Sequence, residues 1–137
     1  MLNLNPVHIQ SMAKTFKDAI EAFNGNDGKN RDWNRLEQLL DPDVVLITIK
    51  DNVSVRGNKG RGRKAVIDFL KEHVATDIEQ FILDPRFPPL FGTNSVKGIA
   101  LWKDMDEPGV VTMKPIHFFF RFSNNNTLID RMWASPD

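Results

Sequence analysis

The sequence predicts an α+β domain in which helices cover one face of an antiparallel sheet. Three observations carry this. Apolar residues recur at three- and four-residue spacing near the start of the chain, the period of a helix with one buried face. The last third is dominated by long β-rich runs. The turns between those runs, Asp106-Glu107-Pro108-Gly109 and Asn124-Asn125-Asn126, are short enough to make hairpins. Helices first and a meander last is the α+β order. With 137 residues, 41% of them hydrophobic, the chain fits a single domain over 1–137 with a core of its own.

Each element has a local reason. Ile9, Met12, Ala13, Phe16, Ala19, Ile20 and Phe23 make one face of a first helix, ended by Asn24-Gly25-Asn26-Asp27-Gly28, residues that tolerate turns. Asp32 is placed to cap a second helix running through Leu40, with Trp33, Leu36, Leu39 and Leu40 as its apolar edge and Asp41-Pro42 as its stop. Val44–Lys50 is β-branched and reads as a strand, and Val53–Arg56 as its return. A third helix follows from Arg63 to about Ala75 and buries Val66, Ile67, Leu70 and Val74. Glu79–Leu83 is a strand. The stretch from Asp84 to Gly92 holds too many prolines for a central strand and reads as a loop. Ser95–Met105, Val110–Phe122 and Leu128–Ala134 are the three long strands. Three helices cover one sheet face. The other then meets solvent or a second subunit, and a homodimer is expected.

Composition removes several classes. There are no cysteines, so disulfide, thiolate and cysteine–zinc chemistry are excluded. Lys+Arg and Asp+Glu both total 18, without the basic excess of a nucleic-acid binder. No apolar run reaches the length of a membrane helix, and no charged leader segment precedes an apolar one. The expectation is a cytoplasmic protein with neither nucleic acid nor membrane as partner. His8, His73 and His117 lie far apart, so no structural metal is expected. No cofactor motif is present. The basic run from Arg56 to Lys64 precedes a helix and has the chemistry to hold an anion; it lacks the Walker pattern and reads first as a solvated loop.

Several stretches together resemble a known family. Trp33-Asn34-Arg35-Leu36-Glu37-Gln38-Leu39-Leu40-Asp41-Pro42-Asp43-Val44 is similar to its helix-to-first-strand entry. Arg56-Gly57 followed by Gly62-Arg63-Lys64-Ala65-Val66-Ile67-Asp68-Phe69-Leu70 is similar to its entry into the third helix. Phe120-Arg121-Phe122 through Leu128-Ile129-Asp130-Arg131-Met132-Trp133 is similar to its closing hairpin. In order and spacing these resemble the nuclear transport factor two-like superfamily, in its SnoaL-like branch. The resemblance implies a cone-shaped curved sheet covered by three helices around a largely apolar pocket, with a small apolar or aromatic molecule as ligand. Fold alone does not fix activity. The ketosteroid isomerase set is missing: the chain has no tyrosine, and Thr48 and Phe118 fall where the resemblance would place its acids. The Arg-x-Asp pair of the epoxide hydrolases is missing from the strand Val96–Lys103.

What remains is a short set of candidates. His117 lies in the otherwise apolar run Ile116–Phe120, and an imidazole can exchange a proton near neutral pH. Alternation sets Met113, His117 and Phe119 on one face and Ile116, Phe118, Phe120 and Phe122 on the other; the sequence does not say which lines the pocket. His117 is read as a proton-transfer group, or as a structural or dimer-interface histidine. Asp130 and Arg131 occupy opposite parities, so either one points to the apolar side, where a charge needs a partner, or the strand ends there and both charges reach water. Asp130 joins His117 as the catalytic pair, and Arg131 is a candidate for the ligand. Thr48, Trp33, Trp102 and Trp133 are candidate pocket-shaping residues, against ordinary strand and core roles. Phe87, Leu90 and Phe91 are read as a lid or as a stiffened surface loop. Two functions follow: ligand binding with lyase, isomerase or cyclase chemistry, or a non-catalytic module for a ligand or protein partner.

Overall fold

The computed structural model describes residues 6–26, 29–50, 53–56, 62–75, 78–107 and 110–136. The centre of the basic run, 57–61, lies outside them. Helices α1 (Pro6–Asn24), α2 (Trp33–Gln38) and α3 (Gly62–Phe69) are followed or preceded by strands β1 (Leu40–Lys50), β2 (Val53–Arg56), β3 (Ile78–Leu83), β4 (Leu90–Phe91), β5 (Ser95–Glu107), β6 (Val110–Ser123) and β7 (Leu128–Pro136). The element order matches the expectation, with three local differences.

The second helix stops at Gln38, because Leu40 is taken into the sheet beside Ile129 and the Ile129 N–H donates to the Leu39 carbonyl at 2.8 Å. Pro42 therefore lies inside β1. It falls between the Leu40 and Val45 pairings, where the register shifts, so its missing N–H interrupts no ladder bond. Asp32 caps α2 as expected, accepting from the Arg35 N–H at 3.0 Å. The third helix turns from α to π at Leu70–Val74, closed by the Ala75 N–H donating to the Leu70 carbonyl at 2.7 Å. The proline-rich loop carries the two-residue strand β4 on β5.

The sheet has seven strands, in the order β2-β1-β7-β6-β5-β3, with β4 also on β5. It is not antiparallel throughout: β1 runs parallel to β7, because the long route through β2 to β6 brings the chain back beside its own first strand. Register shifts between Asp104 and Glu107 and between Arg121 and Phe122 bend the ribbon, as bulges do, and help it curl around the helices. Gly98 faces Phe118 across the β5–β6 ladder. A Cβ there would sit 3.1 Å from the ring, so glycine lets the aromatic pack flat on its neighbour strand.

The core lies between the helices and the inner sheet face. Met12, Phe16, Ala19 and Ala22 of α1 are buried with Val96, Ala100, Ile116, Phe118, Phe120, Phe122 and Ile129. Phe118 is held by three rings, Phe16, Phe81 and Phe120, with centroids 5.5–5.6 Å away. Two asparagines tie helix to sheet. The Asn24 side chain pairs with the backbone of Phe81 in both directions, each bond 2.8 Å, and so acts as a peptide stand-in on the free edge of β3. Asn126, buried in the β6–β7 turn, donates to the carbonyls of His8 and Thr93 at 3.0 Å. Its own carbonyl accepts from the Thr15 hydroxyl at 3.0 Å.

Candidate functional site

A cavity of about 90 Å³ opens between the helices and the curled sheet. Helix α1 contributes Ala19, Ile20 and Phe23; α2 contributes Leu36; the π turn contributes Leu70 and Val74. From the sheet come Leu46, Phe81, Ile116 and Phe120, and from β7 Ile129, Met132, Trp133 and Ala134. The pattern has a local cause. Helical spacing puts Ala19 and Phe23 one turn apart on the same face of α1. On β6, alternation sends Ile116 and Phe120 inward. Among the described lining residues the Trp133 indole N–H is the only side-chain hydrogen-bond donor.

The charged candidates stand elsewhere. Ile116 and Phe118 are buried while His117 between them is exposed, so His117 belongs to the outward row of β6, opposite Ile99 and Ser135. Of the two faces left open for His117, the structure takes the outward one: alternation that buries Ile116 and Phe118 turns it out of the cavity. Of the two readings of Asp130 and Arg131, the one in which neither charge points inward is the one seen. Arg121 pairs with Arg131, while the next residue, Phe122, pairs with Ile129. Asp130 is the extra residue of a bulge, and the bulge lets Ile129 and Met132 both face inward while neither charge does. Asp130 instead accepts from the Arg121 Nε–H at 2.8 Å, an ion pair that holds the guanidinium in its charged form. Arg131 is exposed.

Of the tryptophans, Trp133 borders the cavity. Trp33 stands one layer behind, edge-on to the lining residue Phe23 at 6.1 Å, with the Lys71 ammonium 5.8 Å from its ring. The Thr48 backbone pairs with Ala134 and that of Trp102 with Phe81; their side chains lie outside the described residues. Phe87, Leu90 and Phe91 are exposed and absent from the lining. Their loop is fastened at its start by buried Asp84, which accepts from the Arg86 backbone N–H at 3.0 Å and from its guanidinium at 2.8 and 3.1 Å. Those bonds hold the Asp84 carboxyl below its ordinary pKa. Asp41 is lowered too, first by the Ser123 hydroxyl and then by the Asp43 N–H. Both are fastening sites away from the cavity.

Most of the lining was readable only as core. Leu36, Leu70 and Val74 stand out in the sequence as buried helix positions, yet nothing there separates a side chain that fills a core from one that borders a gap. Phe81 and Leu46 carry no signal beyond their strands. Among the described residues no group of His, Asp and Glu is placed to hold a metal ion, and no helix is long and apolar enough to cross a membrane.

Solved structures share this architecture from end to end. A candidate SnoaL-like polyketide cyclase from Jannaschia sp. CCS1 superposes with a TM-score of 0.70 at 12% identity, over 100% of this chain and 92% of its own. TerC, co-crystallised with polyporic acid, gives 0.70 at 15% identity over 93% and 92%. An NTF2-like protein of unknown function from Burkholderia pseudomallei K96243 gives 0.66 at 19% identity over 93% and 91%. The chain has the nuclear transport factor two-like fold. The cone expected from the resemblance is the curled sheet and its three helices. No protein-family model matches the sequence, and no curated protein does either. Within the nuclear transport factor two-like cone, the cavity described above occupies the space between helices and inner sheet face.

Proposed function

We propose that this protein binds a small apolar or aromatic molecule in its cone-shaped cavity and does not transform it. One observation carries the reading: the described lining is apolar, while the two candidates for proton transfer, His117 and Asp130, sit on the other side of the sheet. Acid–base catalysis needs a titratable group within hydrogen-bond reach of the substrate, and convergent polar groups are what mark a catalytic pocket. The likeness to a candidate cyclase keeps a catalytic reading in view, with Thr48 as the nearest polar candidate by backbone register.

The test is a panel of apolar molecules of graded size, followed through the methyl resonances of Met132 and Ala134. Several members should shift those signals saturably and raise the melting temperature. Mass spectrometry of the incubated molecules should return them unchanged. His117→Ala should bind as the parent does. A product that accumulates with the parent and disappears with His117→Ala would overturn the non-catalytic reading.

The outer sheet face supports a homodimer. Ile47 and Phe119, on the strands flanking β7, and Ile99, Leu101 and Ile82 make up a half-buried apolar surface. Lys97, Arg131 and the Arg121–Asp130 pair lie among them. A stripe of this kind, apolar at the centre with charges around it, suits a two-fold contact.

A further inference from the structure

Resting on the binding function proposed above, we infer that the cavity selects by size and by the apolar character of its described lining. Its guest is a single unsubstituted or alkyl-substituted aromatic ring, or a branched hydrocarbon of the same bulk. A polycyclic or oxygenated molecule is excluded.

Volume is the first argument. Pockets for drug-sized molecules measure about 300–1,000 Å³. An engineered cavity of about 150 Å³ lined by leucine, isoleucine and phenylalanine takes benzene. This cavity, at about 90 Å³, belongs with the second group and is smaller still. One ring fits once Met132 and Ile20 adjust their rotamers; methionine adapts readily in this way. A second fused ring would have to displace Phe81 or Phe120. Those rings are stacked on each other at 6.5 Å and packed on Phe118 at 5.6 and 5.5 Å, so neither moves without disturbing the aromatic core.

Chemistry is the second argument. A hydroxyl or carbonyl carried into an apolar site without a partner costs roughly 1–3 kcal/mol by protein measures. That is about a tenfold to hundredfold loss of affinity. The described lining offers one donor, the Trp133 indole, and no side-chain acceptor beyond the weak Met132 thioether. A hydroxylated ring loses more by leaving water than its unsubstituted parent, and a carboxylate loses far more.

The experiment ranks toluene, phenol, benzoate, naphthalene and progesterone by chemical-shift titration at Met132 and Ala134. Toluene should bind at least tenfold more tightly than phenol, and benzoate, naphthalene and progesterone should leave the signals unmoved. If naphthalene or progesterone binds as tightly as toluene, the size limit is wrong and the binding function stands. If phenol matches toluene, the polarity limit is wrong. If none of the five binds, the binding function itself fails. Ala134→Leu, which places a larger side chain in the cavity, should abolish toluene binding while its circular dichroism stays that of the parent. If Ala134→Leu is misfolded, Ile20→Phe tests the same point from the helix side. Retained toluene binding in a folded filling variant would overturn the assignment of the guest to this cavity.

Discussion

At the scale of single residues, the side chains that hold this fold in shape are polar ones placed where backbone groups would otherwise go unpaired. Asn126 satisfies two carbonyls and presents its own to Thr15, with φ at +66°, a conformation asparagine accepts more readily than most residues. Asn126→Ala should cost about 1–3 kcal/mol, from two lost bonds to part-buried acceptors and an unfavourable φ. Asn126→Asp should cost at least as much, because a carboxylate has no hydrogen to donate and would face two carbonyl oxygens. Urea unfolding measures both, and a loss under about 0.5 kcal/mol for alanine would show that the turn is not pinned there. Asp84 gives a pH dependence of known sign. Its pKa is lowered in the folded state by Arg86, so the folded protein favours the ionised form. That stabilisation is present above the unfolded value of about 3.9 and is lost as the pH falls through the depressed folded one. The urea midpoint should hold down to about pH 5 and then fall. Asp84→Asn should begin lower at neutral pH and fall less steeply, and an unchanged slope would remove Asp84 from the acid response.

At the scale of elements, irregularity does the positioning. The bulge at Asp130 is one residue inserted into an otherwise alternating strand. Without it, Ile129 would be followed directly by Arg131 and Met132, and inward, outward, inward alternation would already be satisfied. Deleting Asp130 should therefore leave a cooperatively folding protein, less stable by about 1–2 kcal/mol through loss of the ion pair and local twist. Deleting Met132 shifts Trp133 and Ala134 to the wrong faces and should abolish cooperative unfolding. Equal damage from the two deletions, read by calorimetry, would contradict the bulge. This also shows where sequence reading stops. Strand identities, the Asp32 cap and the two faces of β6 were legible, because periodicity of two and the chemistry of caps are local. The bulge was not: parity counting assumes an unbroken strand, so it sent one of Asp130 and Arg131 inward. The parallel joint of β1 and β7 was hidden for a related reason, since pairing between strands far apart in sequence leaves no short-range trace. Which face of β6 meets the helices is likewise a property of the assembled sheet, and it decided the place of His117.

At the scale of the whole molecule, the sheet divides two kinds of surface. One side is covered by helices and holds a partly open gap whose described lining is apolar. The other carries an apolar surface within a charged setting. Phe119 lies on that side, half-buried, and pairs with Lys97. Phe119→Glu should convert the proposed dimer into a monomer in sedimentation experiments while the toluene titration at Met132 is unchanged, since the substitution is on the far side of the sheet. A parent protein that sediments as a monomer would remove the dimer and leave the cavity reading intact.

The π turn at Leu70–Val74 has a consequence for how this chain is compared with others. A relative that makes an ordinary α turn at that point is one residue shorter there. Matched column by column without a gap, its later residues pair with the wrong neighbours, and the position of Val74 falls against a solvent-facing side chain. The bulge at Asp130 creates a second such offset on β7. A faithful alignment opens its gaps between Phe69 and Ala75 and between Ile129 and Arg131. Only then do the columns that border the cavity line up, and only then can variation at those columns be read as variation in what the cavity holds.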